Sequence, residues 1–212
     1  MNKLTELVVA NIPKDIFTDL DLINLIDGSN DKRYGLVKRA CASDGIVRIK
    51  KGLYCLSPKY QRHKINLYQL AQYIYGPSYV SMESALSYHG WIPEAVHTLT
   101  SACVKKSQDF MTPLGAFSFK RVPSAVFYSE VDRITPENGE AFFMATPLKA
   151  LADYVYIHQK NWKGLAPVIE SLRVEPACLR ELGQEEFDRL YKNYNNKRVK
   201  KFIKGLKKDL RP

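Results

Sequence analysis

Apolar residues recur with the 3.6-residue period of a helix in three segments near the start of the chain, residues 3–10, 18–26 and 31–42. Asn30 or Asp31 is the expected N-cap of the third segment, because both side chains can accept a hydrogen bond at a helix N-terminus. The third segment also carries basic residues outside its apolar stripe, where they are free to meet solvent or phosphate. The pattern therefore predicts two short helices, a turn and a basic helix.

A β-hairpin is predicted directly after the basic helix. Gly45 is a good helix stop. Residues 46–49 and 53–56 then flank the turn Lys50-Lys51-Gly52, which is typical of a hairpin. A helix fits the major groove of DNA, and a basic hairpin beside it can hold the phosphate backbone. The order of elements over residues 1–57 therefore predicts a winged helix-turn-helix, which is a DNA-binding domain.

The residues beyond the hairpin predict a second domain. Residues 58–65 are polar and basic and contain a proline, which is typical of a linker. Helical and β-type patterns then alternate over residues 66–160, and the β-type runs include a short strand at 126–128. Residues 161–212 are helical in tendency and end in a basic tail.

These elements predict an α+β fold. An N-terminal winged helix-turn-helix is followed by a mixed α+β domain with a small, mostly antiparallel sheet, and then by a helical C-terminus. The chain has 212 residues, of which 45% are hydrophobic. That is enough for two small domains or one larger one, with a proper core.

Positive charge is concentrated in two blocks. Residues 31–64 hold ten Lys or Arg against two Asp or Glu, a net charge of +8. Residues 192–212 hold nine against one, also +8, whereas the whole chain carries only +10. Two separated basic blocks on an acidic body indicate a protein that binds a polyanion, with a solvated charged face as the alternative.

The first basic block supplies the residues that we expect to contact DNA. Residues near the start of the basic helix are best placed to reach base edges, and the others are expected to contact phosphates, which position a protein without reading sequence. The base-reading set is Lys32, Arg33 and Tyr34, and the phosphate set is Lys38, Arg39, Arg48, Lys50 and Lys51.

The second block combines an apolar stripe with basic residues. The stripe predicts a helix whose apolar face packs on another surface while its basic face contacts a polyanion. The basic residues of this tail are Lys197, Arg198, Lys200, Lys201, Lys204, Lys207 and Lys208. Two interpretations stay open: a surface for RNA or a protein partner, or a solvated terminal helix packed on its own domain.

No motif in the sequence indicates an enzyme, a cofactor or a metal site. The four histidines are scattered, and the chain has no phosphate-binding loop, dinucleotide fingerprint or nucleophile elbow. Glu83 is expected to lie at a helix N-terminus, where its negative charge is favourable against the helix dipole. Asp153 is expected to be a polar position on an amphipathic helix. The four cysteines lack Cys-x-x-Cys spacing, and no apolar run approaches a membrane span. We therefore expect a cytoplasmic protein with reduced cysteines and no membrane partner.

Three stretches of the chain resemble the AbiEi-type antitoxins, the regulators of type IV toxin–antitoxin or abortive-infection pairs. They are residues 34–54, residues 76–94 (Gly-Pro-Ser-Tyr-Val-Ser-Met-Glu-Ser-Ala-Leu-Ser-Tyr-His-Gly-Trp-Ile-Pro-Glu) and residues 145–153 (Ala-Thr-Pro-Leu-Lys-Ala-Leu-Ala-Asp). The resemblance implies that the N-terminal domain binds inverted repeats in its own promoter and represses it. It also implies that the following domain is required to neutralise a nucleotidyltransferase-like toxin, with direct contact left open.

One further interpretation of the α+β domain stays open. The protein can instead be a stand-alone transcription factor whose second domain binds a small ligand. The aromatic residues that would line such a pocket are Tyr79, Tyr88, Trp91, Phe117 and Phe119, although core packing explains them more simply.

Overall fold

The computed structural model describes residues 1–122, 125, 127–137 and 141–210, and within these it contains ten helices and two sheets. The helices are α1 (Lys3–Asn11), α2 (Asp19–Leu25), α3 (Asn30–Ala42), α4 (Leu67–Ile74), α5 (Met82–Tyr88), α6 (Pro147–Ile157), α7 (Ala166–Leu172), α8 (Pro176–Arg180), α9 (Gln184–Asn193) and α10 (Lys197–Asp209). The strands are β1 (Ile16–Thr18), β2 (Ile46–Lys50), β3 (Leu53–Leu56), β4 (Ser78–Val80), β5 (Thr98–Cys103), β6 (Gln108–Thr112), β7 (Gly115–Arg121), β8 (Val131–Ile134) and β9 (Phe142–Ala145). The mixed α+β class is confirmed.

The first 57 residues form an N-terminal unit of three helices and a three-stranded antiparallel sheet with strand order β1-β3-β2. The N-cap of α3 is Ser29, whose hydroxyl accepts a hydrogen bond from the Lys32 N–H at 3.3 Å. The expected caps Asn30 and Asp31 are wrong, because both residues already lie inside the helix. Gly52 closes the β2–β3 turn with a φ of +77°, which glycine adopts without strain.

The small sheet is covered on both faces. All four residues of β3 are buried, and they alternate between two hydrophobic cores. Tyr54 and Leu56 pack under α1–α3, whereas Leu53 and Cys55 pack into the core of the rest of the chain. This alternation follows from the two-residue period of a strand. One face of the small sheet therefore packs under the helices of the N-terminal unit, and the other packs on the core of the larger unit.

The segment expected to be a linker is held in place by Arg62. Its guanidinium donates to the carbonyl oxygens of Val9 and Ile12 at 2.7 and 3.0 Å and to the Asp15 carboxylate at 2.9 Å. The backbone N–H groups of Arg62 and His63 also donate to Asp15. Residues 58–65 thus bind back to the end of α1 rather than only connecting two domains.

The larger sheet has six strands in the order β6-β7-β5-β4-β9-β8. The pairs β5–β7 and β4–β9 are parallel and the other three pairs are antiparallel, so this sheet is mixed. The predicted strand at 126–128 is not formed at Phe127 and Tyr128, which lie in a turn, and Val126 lies outside the described residues. The last strand pair is formed by β8 and β9 instead.

A fully buried polar network fastens α6 to the sheet and to the C-terminal helices. The Lys149 ammonium lies 2.6 Å from the Asp153 carboxylate, one turn further along α6. The hydroxyls of Tyr79, Ser81 and Tyr194 also donate to Asp153, at 2.9, 2.7 and 2.9 Å. Asp153, expected to be a polar position on an amphipathic helix, lies on α6, and its side chain is completely buried.

Burial sets the ionisation of this network. It lowers the pKa of Lys149, against the opposing effect of the Asp153 charge, and raises the pKa values of Tyr79 and Tyr194 well above 10. The Lys149 ammonium also lies over the Tyr79 and Tyr194 rings, 5.2 and 4.6 Å from their centroids. The Ser81 hydroxyl, taken by Asp153, makes no capping bond to α5.

Candidate nucleic-acid interface

A cleft of about 330 Å³ lies between α2, α3 and the β2–β3 hairpin. It is lined by four of the residues that the sequence places in a DNA-binding set, namely Arg33, Tyr34, Arg48 and Lys51. Tyr34 is 64% exposed, which is unusual for a large aromatic side chain. Helix and hairpin thus bring cationic and aromatic groups to one surface.

Lys38 and Arg39 are exposed on α3, outside this cleft. The opposite side of the helix is fixed by Leu36, Val37 and Ala40, which are buried against the rest of the N-terminal unit. The helix therefore presents its charged side chains to solvent from a rigid support. Such an arrangement suits a surface that docks on phosphates.

Lys32 and Arg33 have partners within the protein. The Lys32 ammonium donates to the Asp27 carbonyl oxygen at 2.9 Å. The Arg33 guanidinium donates to the carbonyl oxygens of Ile26 and Gly28 at 3.3 and 2.5 Å and to the Asn30 side chain at 2.6 Å. Both side chains thereby close the turn between α2 and α3, a local role that the sequence pattern does not predict.

Lys50 is the hairpin residue that the structure places elsewhere. Its ammonium donates to the Ile74 carbonyl oxygen at the end of α4 and lies 5.5 Å from the centre of the Phe110 ring. Partial burial and the nearby charge of Lys105 lower its pKa. Lys50 therefore joins the hairpin to the larger unit, while Arg48 and Lys51 are exposed.

An acidic residue sits within the basic cleft. Burial and a hydrogen bond to Asp19 raise the pKa of the Tyr54 hydroxyl to about 12. Tyr54 thus keeps its proton at any physiological pH, and both Tyr54 and the exposed Asp19 line the cleft. The Asp19 carboxylate disfavours a polyanion close to it, whereas the exposed cations of Arg48 and Lys51 favour one.

The tail forms a helix, α10, that packs on its own unit. Val199, Phe202, Ile203 and Leu206 are buried against α6 and α9. The apolar stripe is therefore occupied within the chain. The seven basic residues of α10 stay on its outer sides, where four are exposed and three are partly buried.

The five aromatic residues considered for a ligand pocket are mostly core residues. Tyr79, Trp91, Phe117 and Phe119 are buried, and Tyr88 is 44% exposed. Phe117 also lines a cleft of about 350 Å³.

The described residues offer no metal centre: no group of three or more His, Cys, Asp or Glu is close enough to hold an ion. Glu83 and His158 form a pair at 3.0 Å. Burial opposes ionisation of Glu83, but hydrogen bonds from His158, from its own backbone and from Thr100 outweigh it and lower the pKa. Over the same residues, no helix combines the length and the apolar character needed to cross a bilayer.

Comparison of the chain with protein-family models and with curated proteins finds no match.

Proposed function

We propose that this protein is a DNA-binding transcriptional autorepressor and the antitoxin of a type IV toxin–antitoxin operon, acting in the cytoplasm. The N-terminal unit is interpreted as a winged helix-turn-helix, with α3 as its recognition helix and the β2–β3 hairpin as its wing. One observation carries the DNA-binding half: exposed Tyr34 on α3 lines the same cleft as exposed Arg48 and Lys51 on the hairpin, and Lys38 and Arg39 are exposed further along the same helix.

The element order supports this interpretation. Helix α1, strand β1, helices α2 and α3 and the hairpin follow one another, and β1 pairs with β3 to complete the small sheet. A helix of 13 residues has the size to enter the major groove. Lys32 and Arg33 are bound to the turn that precedes α3. We therefore assign base reading first to Tyr34 and to the exposed side of α3.

The antitoxin half rests on the resemblance of residues 34–54, 76–94 and 145–153 to the AbiEi-type family. Two of these stretches meet in the fold: Tyr79 and Ser81 from the second contact Asp153 from the third. The proposed partner is a nucleotidyltransferase-like toxin encoded in the same operon. Expression of this toxin alone should arrest cell growth, and co-expression of the present protein should relieve the arrest.

A matched pair of hairpin variants tests the DNA-binding half. Replacing Arg48 and Lys51 by Ala removes two exposed cations, so affinity for promoter DNA should fall and the salt slope should flatten by about one unit for each phosphate that is no longer neutralised. Lys50→Ala removes a charge from the same hairpin that is engaged with Ile74. It should leave the salt slope unchanged. Equal slopes for all three proteins would contradict the proposed wing.

A second candidate function is a transcription factor regulated by a small ligand. A cleft of about 470 Å³ in the larger unit is lined by Glu83, Ile92, Glu94 and Thr100 among others, and it has the volume of a small-molecule site. Its two carboxylates are already paired within the fold, Glu83 with His158 and Glu94 with Arg173. If promoter binding holds but co-expression never relieves toxicity, this candidate replaces the antitoxin.

A further inference from the structure

Helix α10 carries two kinds of basic residue. Three of them contact other parts of the fold: Lys207 donates to Asp188 at 2.5 Å, Arg198 to Asn161 at 3.3 Å, and the Lys200 ammonium lies 5.2 Å from the centre of the Tyr191 ring. These three are partly buried. They are accounted for by packing of the helix on its own unit.

The other four form a row along the outside of the helix, which we call the lysine row: Lys197, Lys201, Lys204 and Lys208. They are spaced four, three and four residues apart, so all lie on one face. All four are exposed, and no acidic side chain in the described part of the chain pairs with any of them. At 1.5 Å per residue the row is about 16 Å long.

The lysine row is unfavourable for the helix that bears it. Like charges three and four residues apart repel one another. Lys197 also lies in the first turn, where the helix dipole disfavours a cation. The Asn196 side chain, which accepts a hydrogen bond from the Val199 N–H at 3.1 Å, and the buried apolar stripe hold the helix in place nonetheless. Stability of α10 therefore does not explain the row.

The residue types in the row argue against three kinds of partner: a membrane surface, another protein and a single-stranded nucleic acid. A membrane-surface helix needs a free apolar face, and the apolar face of α10 is buried. Protein–protein interfaces are depleted in lysine and are anchored by aromatic or apolar residues, which the row lacks. Single-stranded nucleic acids are bound by stacking their bases on aromatic side chains, which the row also lacks.

A duplex backbone fits the row best. Lysine ammonium groups are compact point charges that bind phosphate without reading base edges. Each strand of B-DNA carries one phosphate per 3.4 Å of helix axis, so a row about 16 Å long is long enough to face more than one phosphate. We propose that the lysine row binds the phosphate backbone of double-stranded DNA without regard to sequence. This second surface goes beyond the proposed function and does not depend on α3.

The test compares the protein with a variant in which all four lysines of the row are replaced by Gln. A control variant carries Gln at four other exposed lysines, Lys3, Lys64, Lys106 and Lys163, and so has the same net charge. Circular dichroism and a thermal melt establish that both variants fold as the parent does. Fluorescence anisotropy then follows binding to a duplex of scrambled sequence, to a single-stranded RNA and to an acidic protein over a range of salt concentrations.

The row variant should lose at least tenfold in affinity at low salt, and its slope of log affinity against log salt should flatten by about 0.9 for each phosphate that the row no longer neutralises. The control variant should change by less than about twofold. Both results should persist with Arg48 and Lys51 replaced by Ala, so that failure of the proposed wing and failure of the row are separable. Equal losses for row and control variants, or an effect seen only with single-stranded RNA or an acidic protein, would overturn the proposal.

Discussion

Replacing Asp153 by Asn should be among the most destabilising single changes in this chain. The change keeps the shape of the side chain but removes the negative charge that faces the Lys149 ammonium at 2.6 Å. Both side chains are completely buried, so water cannot replace the missing partner. An ammonium left buried without its counter-charge costs about 3–5 kcal/mol. A domain has only about 5–15 kcal/mol of total stability, so much of it would be lost.

The double variant Lys149→Met, Asp153→Asn isolates this effect. It removes the ammonium that has lost its counter-charge. The Asn carbonyl oxygen can still accept a hydrogen bond from the hydroxyl of Tyr79, Ser81 or Tyr194. Its cost should be about 1–3 kcal/mol, the range expected for imperfectly satisfied buried hydroxyls. The double variant should thus be more stable than Asp153→Asn alone, although it carries one more change. Lys149→Met alone completes the double-mutant cycle.

Urea unfolding followed by far-UV circular dichroism measures these costs directly. The cycle should give a coupling of about 2 kcal/mol or more between the two positions. A loss of stability below about 1 kcal/mol for Asp153→Asn, or simple additivity of the two single changes, would refute the view that the buried ion pair holds α6 in place.

Two further predictions concern stability. The folded-state pKa values of Tyr79 and Tyr194 are raised above 10, so the stability they contribute is complete below pH 10 and is lost as the pH rises further, by about 1.4 kcal/mol per pH unit for each tyrosine. The pKa of Lys149 is lowered instead, so this one group has the opposite effect on the pH dependence of stability. Unfolding free energies measured between about pH 9.5 and 11.5 should therefore fall, and a flat profile would contradict this. Arg62→Ala should cost about 1–2 kcal/mol because two carbonyl oxygens at the end of α1 lose their donor. An unchanged melting temperature would instead mean that residues 58–65 are a simple linker.

Local elements were predictable where a strong local signal exists. The hairpin at β2 and β3 follows from two β-type runs that flank a Gly-containing turn, and the start of α6 follows from Thr146 and Pro147. Strand β1 was missed because three residues are too few to show a period. Its existence is decided by pairing with β3, which lies far along the chain beyond α2 and α3.

The contacts that the sequence could not predict at the candidate site are mostly tertiary contacts, between residues far apart in the chain. Lys50 was placed correctly on the hairpin, but its contact with Ile74 arises from how α4 docks. In the same way, a Lys and an Asp four residues apart on a helix normally form a surface pair. Only the fold brings Tyr79 and Tyr194 around Asp153 and makes that pair a buried network.

Binding to the promoter fragment upstream of this gene tests the central claim most directly. A titration should compare that fragment with a scrambled duplex of equal length over a range of salt concentrations. The account predicts tighter binding to the promoter, with a steep salt slope that becomes shallower when Arg48 and Lys51 are replaced by Ala. Equal affinity for both fragments would contradict sequence-specific recognition by α3.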